Sequence, residues 1–225
     1  MAEIDPDQFI ITRKRKKYKF AKFANAHNCF EFDAWTNGKP PLGDKVSVEI
    51  GAGTGLFCVE LASRHPEKTF VAIDVKADRL QKGAYEALGR GVSNVLFVRA
   101  RADQIDELFV AQSLESIWLT FSDPFPKKRS AGRRMTHPNF LTRYQRVLRP
   151  DGSLLVKHDN EDFFRWSLEQ LVAEGWHLTE LSFDLHDSML DDDYKIITTY
   201  EQRWIGEGRI TQLVHAQALH LEIGR

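Results

Sequence analysis

Several features that would assign this chain to a specialised class of protein are scarce in its sequence. Only two of its 225 residues are cysteines, Cys29 and Cys58, and neither lies in a Cys-x-x-Cys or Cys/His cluster. A disulfide framework and a zinc site are therefore not expected. Apolar runs are no longer than stretches such as Ser116–Phe121, so no membrane-spanning helix is predicted. The acidic, polar start excludes a signal peptide by its chemistry, and we expect a cytoplasmic protein with reduced thiols.

Net charge is also nearly absent, because 31 Lys and Arg balance 32 Asp and Glu. With 42% hydrophobic and 28% charged residues, the chain has the composition of a folded protein and not of a disordered one. The length suits one domain with appendages. We expect an irregular N-terminal arm over residues 1–41 and a single domain over 42–225, with the border at the breaker cluster Asn37–Pro41.

From Val46 onward, apolar stretches of strand length alternate with segments that have apolar residues at helical spacing. The predicted strands are 46–50, 69–73, 94–99, 116–121 and 152–157, and the predicted helices are 56–64, 77–88, 104–111, 138–148 and 162–173. Two more apolar stretches, around 177–185 and 195–204, are expected to close one edge as antiparallel strands. This order predicts an α/β fold with a doubly wound, mostly parallel seven-stranded sheet and an antiparallel edge.

A glycine-rich loop follows the first predicted strand. Gly51, Gly53 and Gly55 have the spacing Gly-x-Gly-x-Gly after the acidic Glu49, whereas a dinucleotide site has Gly-x-Gly-x-x-Gly. Glycines let the backbone turn sharply and approach a ligand closely, although a plain tight turn is the alternative. A carboxylate at this position would repel a pyrophosphate. It suits a ligand that carries an amine and a sulfonium, namely S-adenosylmethionine.

Two further acids follow the next two predicted strands. Asp74 lies where a carboxylate can accept both hydroxyls of an adenosine ribose, or it caps a helix. Asp103 can accept a hydrogen bond from the adenine amino group, or cap the helix that begins near Gln104. Because parallel strands end at the same edge of a sheet, these acids and Glu49 are expected to face one crevice. To this point the chain resembles class I S-adenosylmethionine-dependent methyltransferases, which have a Rossmann-like fold.

The fourth predicted strand leads into a loop that is rich in proline and cations. Pro124 and Pro126 restrict the backbone immediately after Asp123, which holds that carboxylate at the tip of the strand. A turn that starts at Asp-Pro and a solvated basic loop are the alternative interpretations. The loop contains five basic residues: Lys127, Lys128, Arg129, Arg133 and Arg134.

Three motifs make the resemblance closer. The segment Ser122–Arg129, Ser-Asp-Pro-Phe-Pro-Lys-Lys-Arg, resembles the Pro-Asp-Pro-Trp-Pro-Lys-Lys-Arg signature of bacterial tRNA (guanine-N7)-methyltransferases. His158-Asp159, and the ending Thr198–Arg203 followed by Gly206, resemble two later motifs of that family. Three departures leave the packing of the loop and the substrate preference open: Ser122 replaces a proline, Phe125 a tryptophan and His158 a threonine.

The resemblance implies methyl transfer from S-adenosylmethionine to N7 of the variable-loop guanosine 46 in tRNA. The cofactor-binding positions that it implies are Glu49, Gly51, Gly53, Gly55, Asp74, Asp103 and Asp123, and Asp123 is also the implied catalytic acid. The implied substrate-binding positions are Lys127, Asp159, Thr198, Thr199, Tyr200 and Glu201. Because guanine N7 has a lone pair and no proton, alignment should supply most of the rate. Asp123 can stabilise the charge on the methylated purine or hold the edge of the guanine.

Charge is distributed unevenly along the chain. Residues 124–150 contain eight Lys or Arg and no acid, residues 151–203 contain thirteen acids and four bases, and Arg13–Lys19 has six bases in seven positions. The two basic clusters suit an RNA backbone, although the N-terminal run can equally be a tail without a role. Asp191–Asp193 is interpreted as a solvated loop, with a metal site as the alternative.

Two other functions remain open at this point. One is a class I methyltransferase that acts on a small molecule, which the basic loop and the two later motifs disfavour. The other is a non-catalytic RNA-binding subunit that keeps the fold, which the intact acids at Glu49, Asp74 and Asp123 disfavour. The sequence does not distinguish a monomer from a homodimer or exclude a partner subunit.

Overall fold

The structure, a computed structural model, describes residues 3–9 and 14–218, without the side chains of Lys14 and Arg15. Arg13 of the N-terminal basic run lies outside the described residues. Contacts divide the chain into two compact units, Met1–Gln104 and Ile105–Arg225. Among the described helices, none combines the length and the apolar character that crossing a membrane requires.

The first unit is built on four parallel strands in the order β1-β4-β3-β2. The central strands are buried, as in other parallel sheets: all five residues of Val46–Ile50 and four of the six of Thr69–Asp74 are buried. The strands are β1 (Cys29–Glu31), β2 (Val46–Ile50), β3 (Thr69–Asp74) and β4 (Val95–Arg99), and the helices are α1 (Lys14–Asn25), α2 (Phe32–Gly38), α3 (Leu56–Arg64) and α4 (Ala77–Arg90), with 3-10 turns at Pro6–Gln8 and Ala102–Gln104.

The expectation of an irregular N-terminal segment is wrong, because α1, β1 and α2 all lie within the first forty residues. Phe23 and Trp35 are 1% and 0% exposed, so this segment contributes to the core of the first unit. Cys29–Glu31 pairs in parallel with Phe97–Arg99 of β4 and adds a strand that the sequence did not predict. The proposed domain border near residue 41 remains a prediction.

Helix α4 shows how local chemistry sets an element's end. Its buried residues follow helical spacing, and Gly91 ends it in the left-handed conformation (φ 70°) while its N–H donates to the carbonyls of Ala87 and Leu88. Gly89 stays within the helix. The helix therefore ends two residues later than the predicted Leu88.

The second unit has four strands in the order β5-β6-β8-β7. Strands β5 and β6 are parallel, whereas β8 runs antiparallel to both β6 and β7. The strands are β5 (Leu114–Thr120), β6 (Leu148–His158), β7 (Trp176–Ser182) and β8 (Gln212–Ala218), and the helices are α5 (Ile105–Leu108), α6 (Pro138–Val147), α7 (Glu161–Ala173) and α8 (Glu201–Trp204), with 3-10 helices at Lys128–Arg133 and Ile205–Glu207.

The predicted strand at 195–204 is wrong, and the antiparallel edge is completed by β8 instead. Thr198 and Glu201 exchange two hydrogen bonds: the Glu201 N–H donates to Thr198 Oγ1 at 3.1 Å, and the Thr198 N–H donates to Glu201 Oε2 at 2.8 Å. This reciprocal pattern of Thr-x-x-Glu begins a helix and is incompatible with a strand. The predicted class of fold is confirmed, with eight strands in the described residues instead of seven.

Candidate functional site

The glycine loop is held in a conformation that favours glycine. Gly51, Gly53 and Gly55 have φ angles of 75°, 58° and 69°, in the left-handed region where a Cβ is costly. The N–H groups of Gly51 and Ala52 donate to the Ile73 carbonyl at 2.8 and 3.0 Å. The loop after β2 is therefore fixed against the end of β3.

Asp74 is hydrogen-bonded to this glycine loop. Its Oδ2 accepts a hydrogen bond from the Gly53 N–H and its Oδ1 accepts one from the Lys76 N–H, both at 2.8 Å. Burial raises the pKa of Asp74, and the two backbone hydrogen bonds and the Lys76 charge oppose that rise. Because each carboxylate oxygen has a second acceptor site, Asp74 can shape the loop and still accept from a hydroxyl group.

Glu49 lies in β2 just before the loop and is 1% exposed. The thiol of Cys58 on α3 is hydrogen-bonded to the Glu49 carboxylate; burial, and then Glu49, raises the pKa of Cys58. A carboxylate this deeply buried favours a cationic ligand. The sequence analysis gave Cys58 no role, because only the fold brings it to Glu49.

Asp103 lies in the 3-10 turn after β4 and forms an ion pair with Arg101, whose Nε donates to Asp103 Oδ1 at 2.8 Å. The backbone N–H of Arg101 donates a hydrogen bond to Gln104 Oε1 at 3.0 Å. The sequence allowed two roles for the Asp103 carboxylate, a contact with adenine and a helix cap. The ion pair with Arg101 is a third interaction, which the sequence did not suggest. Both of those roles remain predictions.

Gly83 of α4 packs directly against the glycine loop, and this close contact gives a testable prediction. A Cβ at Gly83 would lie 2.3 Å from the Thr54 carbonyl oxygen, whereas a Cβ at Gly89 would meet no atom within 4 Å among the described residues beyond its own stretch of helix. We expect Gly83→Ala to lower the free energy of unfolding by about 1–3 kcal/mol through overpacking. Gly89→Ala is the matched control and should raise it by up to about 1 kcal/mol. Urea unfolding measures both, and equal effects would contradict this packing.

Asp123 lies in a strained segment that follows β5. Phe121 and Phe125 have φ angles of 50° and 40°, in a region that residues with a Cβ rarely adopt. Asp123 is exposed between them, and the adjoining Ser122 is buried. Strained residues of this kind persist where the surrounding structure holds them, which makes this segment a candidate site.

His158 holds the start of that segment. Its Nε2 lies 2.8 Å from the Ser122 carbonyl oxygen, and its Nδ1 accepts a hydrogen bond from the Asn160 N–H at 2.8 Å. This pattern assigns the proton to Nε2 in a neutral ring. Burial lowers the pKa of His158, although the Ser122 hydrogen bond and the charges of Asp159 and Asp123 oppose this.

Asp159 is part of an aromatic and cationic cluster. Its Oδ2 accepts hydrogen bonds from Arg209 at 3.0 Å and from the Tyr200 hydroxyl at 3.2 Å. The Tyr200 ring lies 5.0 Å from the Phe121 ring, and Arg209 lies 4.3 Å above the Trp204 ring. These five residues line one small cleft. Trp204 and Arg209 are not predicted from the sequence: Trp204 is not among the residues that define the last motif, and Arg209 follows that motif with no spacing that links it to Asp159.

The remaining predicted substrate positions differ in exposure. Glu201 is 2% exposed, and Lys157 Nζ lies 2.9 Å from its Oε2. Its carboxylate also accepts from Thr198, from Thr211 and from His186. Thr198 and Glu201 thus take part in the internal network of the second unit, whereas Tyr200 is 38% exposed and Thr199 is half-buried. A substrate role for these four residues remains a prediction.

The cations of the proline-rich loop are not equivalent. Lys127, Lys128, Arg129 and Arg133 are exposed, but Arg134 is half-buried. In the first unit, Lys22 lies 5.1 Å from the Tyr85 ring and Lys16 lies 5.8 Å from the Phe20 ring. Within the described residues, no group of three or more metal-binding side chains is found, at Asp191–Asp193 or elsewhere.

Comparison with known proteins identifies relatives over most of the chain. A family model described as "Putative methyltransferase" matches residues 43–212. A Brevibacillus brevis protein named tRNA (guanine-N(7)-)-methyltransferase is 39% identical over 185 residues, which cover 81% of this chain and 86% of that protein. A protein of the same name from Mycoplasmopsis agalactiae is 38% identical, with 78% and 85% of the two chains covered.

Solved structures agree on the fold. A 16S rRNA methyltransferase, KamB, superposes with a TM-score of 0.61 at 16% identity and covers 83% of this chain and 92% of its own. A 16S rRNA (adenine(1408)-N(1))-methyltransferase from Catenulisporales acidiphilia, solved with the cosubstrate S-adenosylmethionine, has a TM-score of 0.59 at 14% identity, with 100% and 96% of the chains covered. Likeness at this identity establishes the fold and no more.

Proposed function

This chain belongs to the tRNA (guanine-N(7)-)-methyltransferase family, and we infer from this that it methylates guanine N7 in tRNA with S-adenosylmethionine as the methyl donor. The observation that carries the inference is the 39% identity to a relative of that name across 81% of the chain. The finer assignments are proposals: guanosine 46 of the variable loop as the target and the cytoplasm as the location. A monomer and a homodimer are both compatible with it, with or without a partner subunit.

The residues of the first unit suit this cofactor. Gly51, Gly53 and Gly55 have positive φ angles, and among the described residues beyond its chain neighbours nothing lies within 4 Å of a Cβ built at Gly53. Glu49 and Asp74 are carboxylates, which suit a ligand that is cationic at both its amine and its sulfur. We propose that the loop Gly51–Gly55 and Glu49 hold the methionine part, that Asp74 holds the ribose hydroxyls, and that Asp103 lies beside the adenine.

The chemistry needs little from the protein beyond placement. S-adenosylmethionine supplies a methyl group on a sulfonium, so the guanine N7 lone pair forms the new bond while sulfur keeps the electron pair of the old one. The positive charge then resides on the purine. Asp123, exposed at the end of β5, is proposed to stabilise that charge and to accept from the guanine edge. Alignment supplies the larger share of the rate.

The second unit is proposed to bind the tRNA. Asp159, Tyr200 and the aromatic ring of Phe121 provide hydrogen-bonding and stacking groups of the kind that hold an unstacked base. Lys127 and its basic neighbours suit phosphate groups. Thr198, Thr199 and Glu201 are proposed to support the base through the network around Glu201.

One assay separates this function from its alternatives. The protein is incubated with S-adenosylmethionine labelled in the methyl group and with bulk unmodified tRNA, and the RNA is then digested to nucleosides. We expect the label in 7-methylguanosine. Label in small molecules would identify a small-molecule methyltransferase, and tRNA binding without turnover would identify a non-catalytic RNA-binding subunit.

The salt dependence of tRNA binding tests the exposed basic loop. We expect Lys128→Ala to reduce the magnitude of the slope of log K against log salt by slightly less than one. A triple Lys127/Lys128/Arg129→Ala variant should reduce it by about two to three. Binding releases fewer counterions from the tRNA for each phosphate contact that is lost. Lys45, exposed immediately before β2 in the first unit, is the control, and Lys45→Ala should leave the slope unchanged. Equal slopes for all variants would remove the loop from the tRNA interface.

A further inference from the structure

One of the five cations in the proline-rich loop has a different environment from the others. Arg134 is half-buried, whereas Lys127, Lys128, Arg129 and Arg133 are exposed. Its NH2 and Nε groups lie 3.2 and 3.4 Å from the Phe125 carbonyl oxygen, and its guanidinium lies 4.3 Å from the Trp166 ring of α7. All of these partners belong to the protein itself.

The chain around Arg134 is fixed on α7 at a second point. Thr136 is fully buried and its Oγ1 lies 2.8 Å from Ser167 Oγ, which in turn donates to the Phe163 carbonyl at 2.8 Å. Trp166 and Ser167 are adjacent on α7. Arg134 therefore connects α7 to the proline-rich loop through the Phe125 carbonyl.

Asp123 lies between two carbonyl groups that are both bound by side chains. On its N-terminal side, the Ser122 carbonyl oxygen lies 2.8 Å from His158 Nε2. On its C-terminal side, the Phe125 carbonyl accepts from Arg134. Phe121 and Phe125, with φ angles of 50° and 40°, flank Ser122, Asp123 and Pro124, and such conformations need support from their surroundings.

We propose that Arg134 is a positioning residue for methyl transfer, which holds the Asp123 segment through the Phe125 carbonyl, and that it is not a contact to the tRNA backbone. The proposal rests on the function inferred above. His158 holds the other end of this segment through its hydrogen bond to the Ser122 carbonyl. Of the three departures from the family motif, His158 donates to the backbone carbonyl of Ser122, and Phe125 has the Arg133 guanidinium 4.3 Å from its ring.

The chemistry of the side chain makes the proposal testable. A guanidinium is planar and presents several donors in a fixed fork, so it can bond a carbonyl and stack on an indole at once. A lysine keeps the charge but has neither the plane nor the fork. A phosphate contact depends mainly on charge, whereas the contacts of Arg134 depend on shape.

The experiment compares Arg134→Lys and Arg134→Met with the wild type in single turnover, at saturating S-adenosylmethionine and tRNA, together with tRNA affinity at several salt concentrations. We expect both variants to lower the rate constant about tenfold, since a small displacement of a catalytic group is costly. Their tRNA Kd should stay within about twofold, with an unchanged salt slope. Arg129→Met is the contrast and should weaken tRNA binding and reduce the slope.

Two results would overturn the proposal: a wild-type rate for Arg134→Lys, or weaker tRNA binding and a smaller salt slope for Arg134→Met at an unchanged rate. Trp166→Leu removes the stacking partner outside the loop and should reproduce the loss of rate without a change in Kd. If Arg134→Met does not fold, Arg134→Lys and Trp166→Leu decide the question. Failure of the wild-type protein to form 7-methylguanosine would instead remove the proposed function.

Discussion

Replacing Asp123 by asparagine is expected to lower the rate constant for methyl transfer about 100-fold or more at saturating cofactor and tRNA. The reaction moves a positive charge from sulfur to the purine, and removing a preorganised group that stabilises developing charge costs rate on this scale. The asparagine also accepts fewer hydrogen bonds from the guanine edge, because its amide NH2 is a donor. The cofactor Kd should change less than the rate.

The matched control is Asp162→Asn, which removes the same charge from an exposed position in the first turn of α7. We expect this variant to transfer methyl groups at close to the wild-type rate. Single-turnover measurement of 7-methylguanosine, with cofactor affinity determined separately, resolves the two effects. An Asp123→Asn protein that turned over at the wild-type rate with saturating cofactor would remove Asp123 from catalysis.

Lys157→Met is expected to lower the free energy of unfolding by about 3–5 kcal/mol, because it leaves the Glu201 carboxylate buried without its cation. Lys157 is 0% exposed, and its Nζ lies 2.9 Å from Glu201 Oε2 and 2.7 Å from the Ile196 carbonyl oxygen. The partners that Glu201 keeps are Thr198 and Thr211, which are neutral donors, and the His186 imidazole, which carries a charge only when it is protonated. Urea unfolding measures the change.

An exposed ion pair provides the comparison. Arg165 and Glu161 form an i,i+4 pair on α7 with side chains 67% and 61% exposed, so Arg165→Met should change stability by less than about 1 kcal/mol. The double variant Lys157→Met/Glu201→Gln should be less destabilised than the sum of its single variants, because each single change leaves the other charge uncompensated. Additive losses would mean that the two buried charges do not interact.

Regular alternation along the chain was enough to predict most of the elements. The bounds of β2 and α3 match the predicted 46–50 and 56–64, since an apolar run followed by glycines and then by helical spacing is a local signal. The N-terminal segment was mispredicted because its packing depends on residues far along the chain: α1 contacts α4, and Cys29–Glu31 pairs with Phe97–Arg99. The strand at 195–204 was mispredicted because the reciprocal hydrogen bonds of Thr198 and Glu201 form a turn inside an apolar stretch, just before α8.

The candidate site also has a part that the sequence predicts and a part that only the fold reveals. Glycines and acids at the ends of strands are visible in the sequence, and the structure joins Gly53 to Asp74 directly. Pairings between residues far apart in the chain were not visible, such as Arg209 with Asp159 or His158 with Ser122. The sequence places all five cations of residues 127–134 in one basic loop, and only the fold shows that Arg134 is half-buried against Trp166.

The central claim is that this chain methylates N7 of a tRNA guanosine, and mapping the modified position tests it most directly. Borohydride reduction makes an N7-methylated guanosine labile, and aniline then cleaves the RNA at that nucleotide. After incubation of unmodified tRNA with the protein and S-adenosylmethionine, we predict a single cleavage, at a variable-loop guanosine. Methyl incorporation into the tRNA without any such cleavage would place the methyl group on another atom and contradict the account.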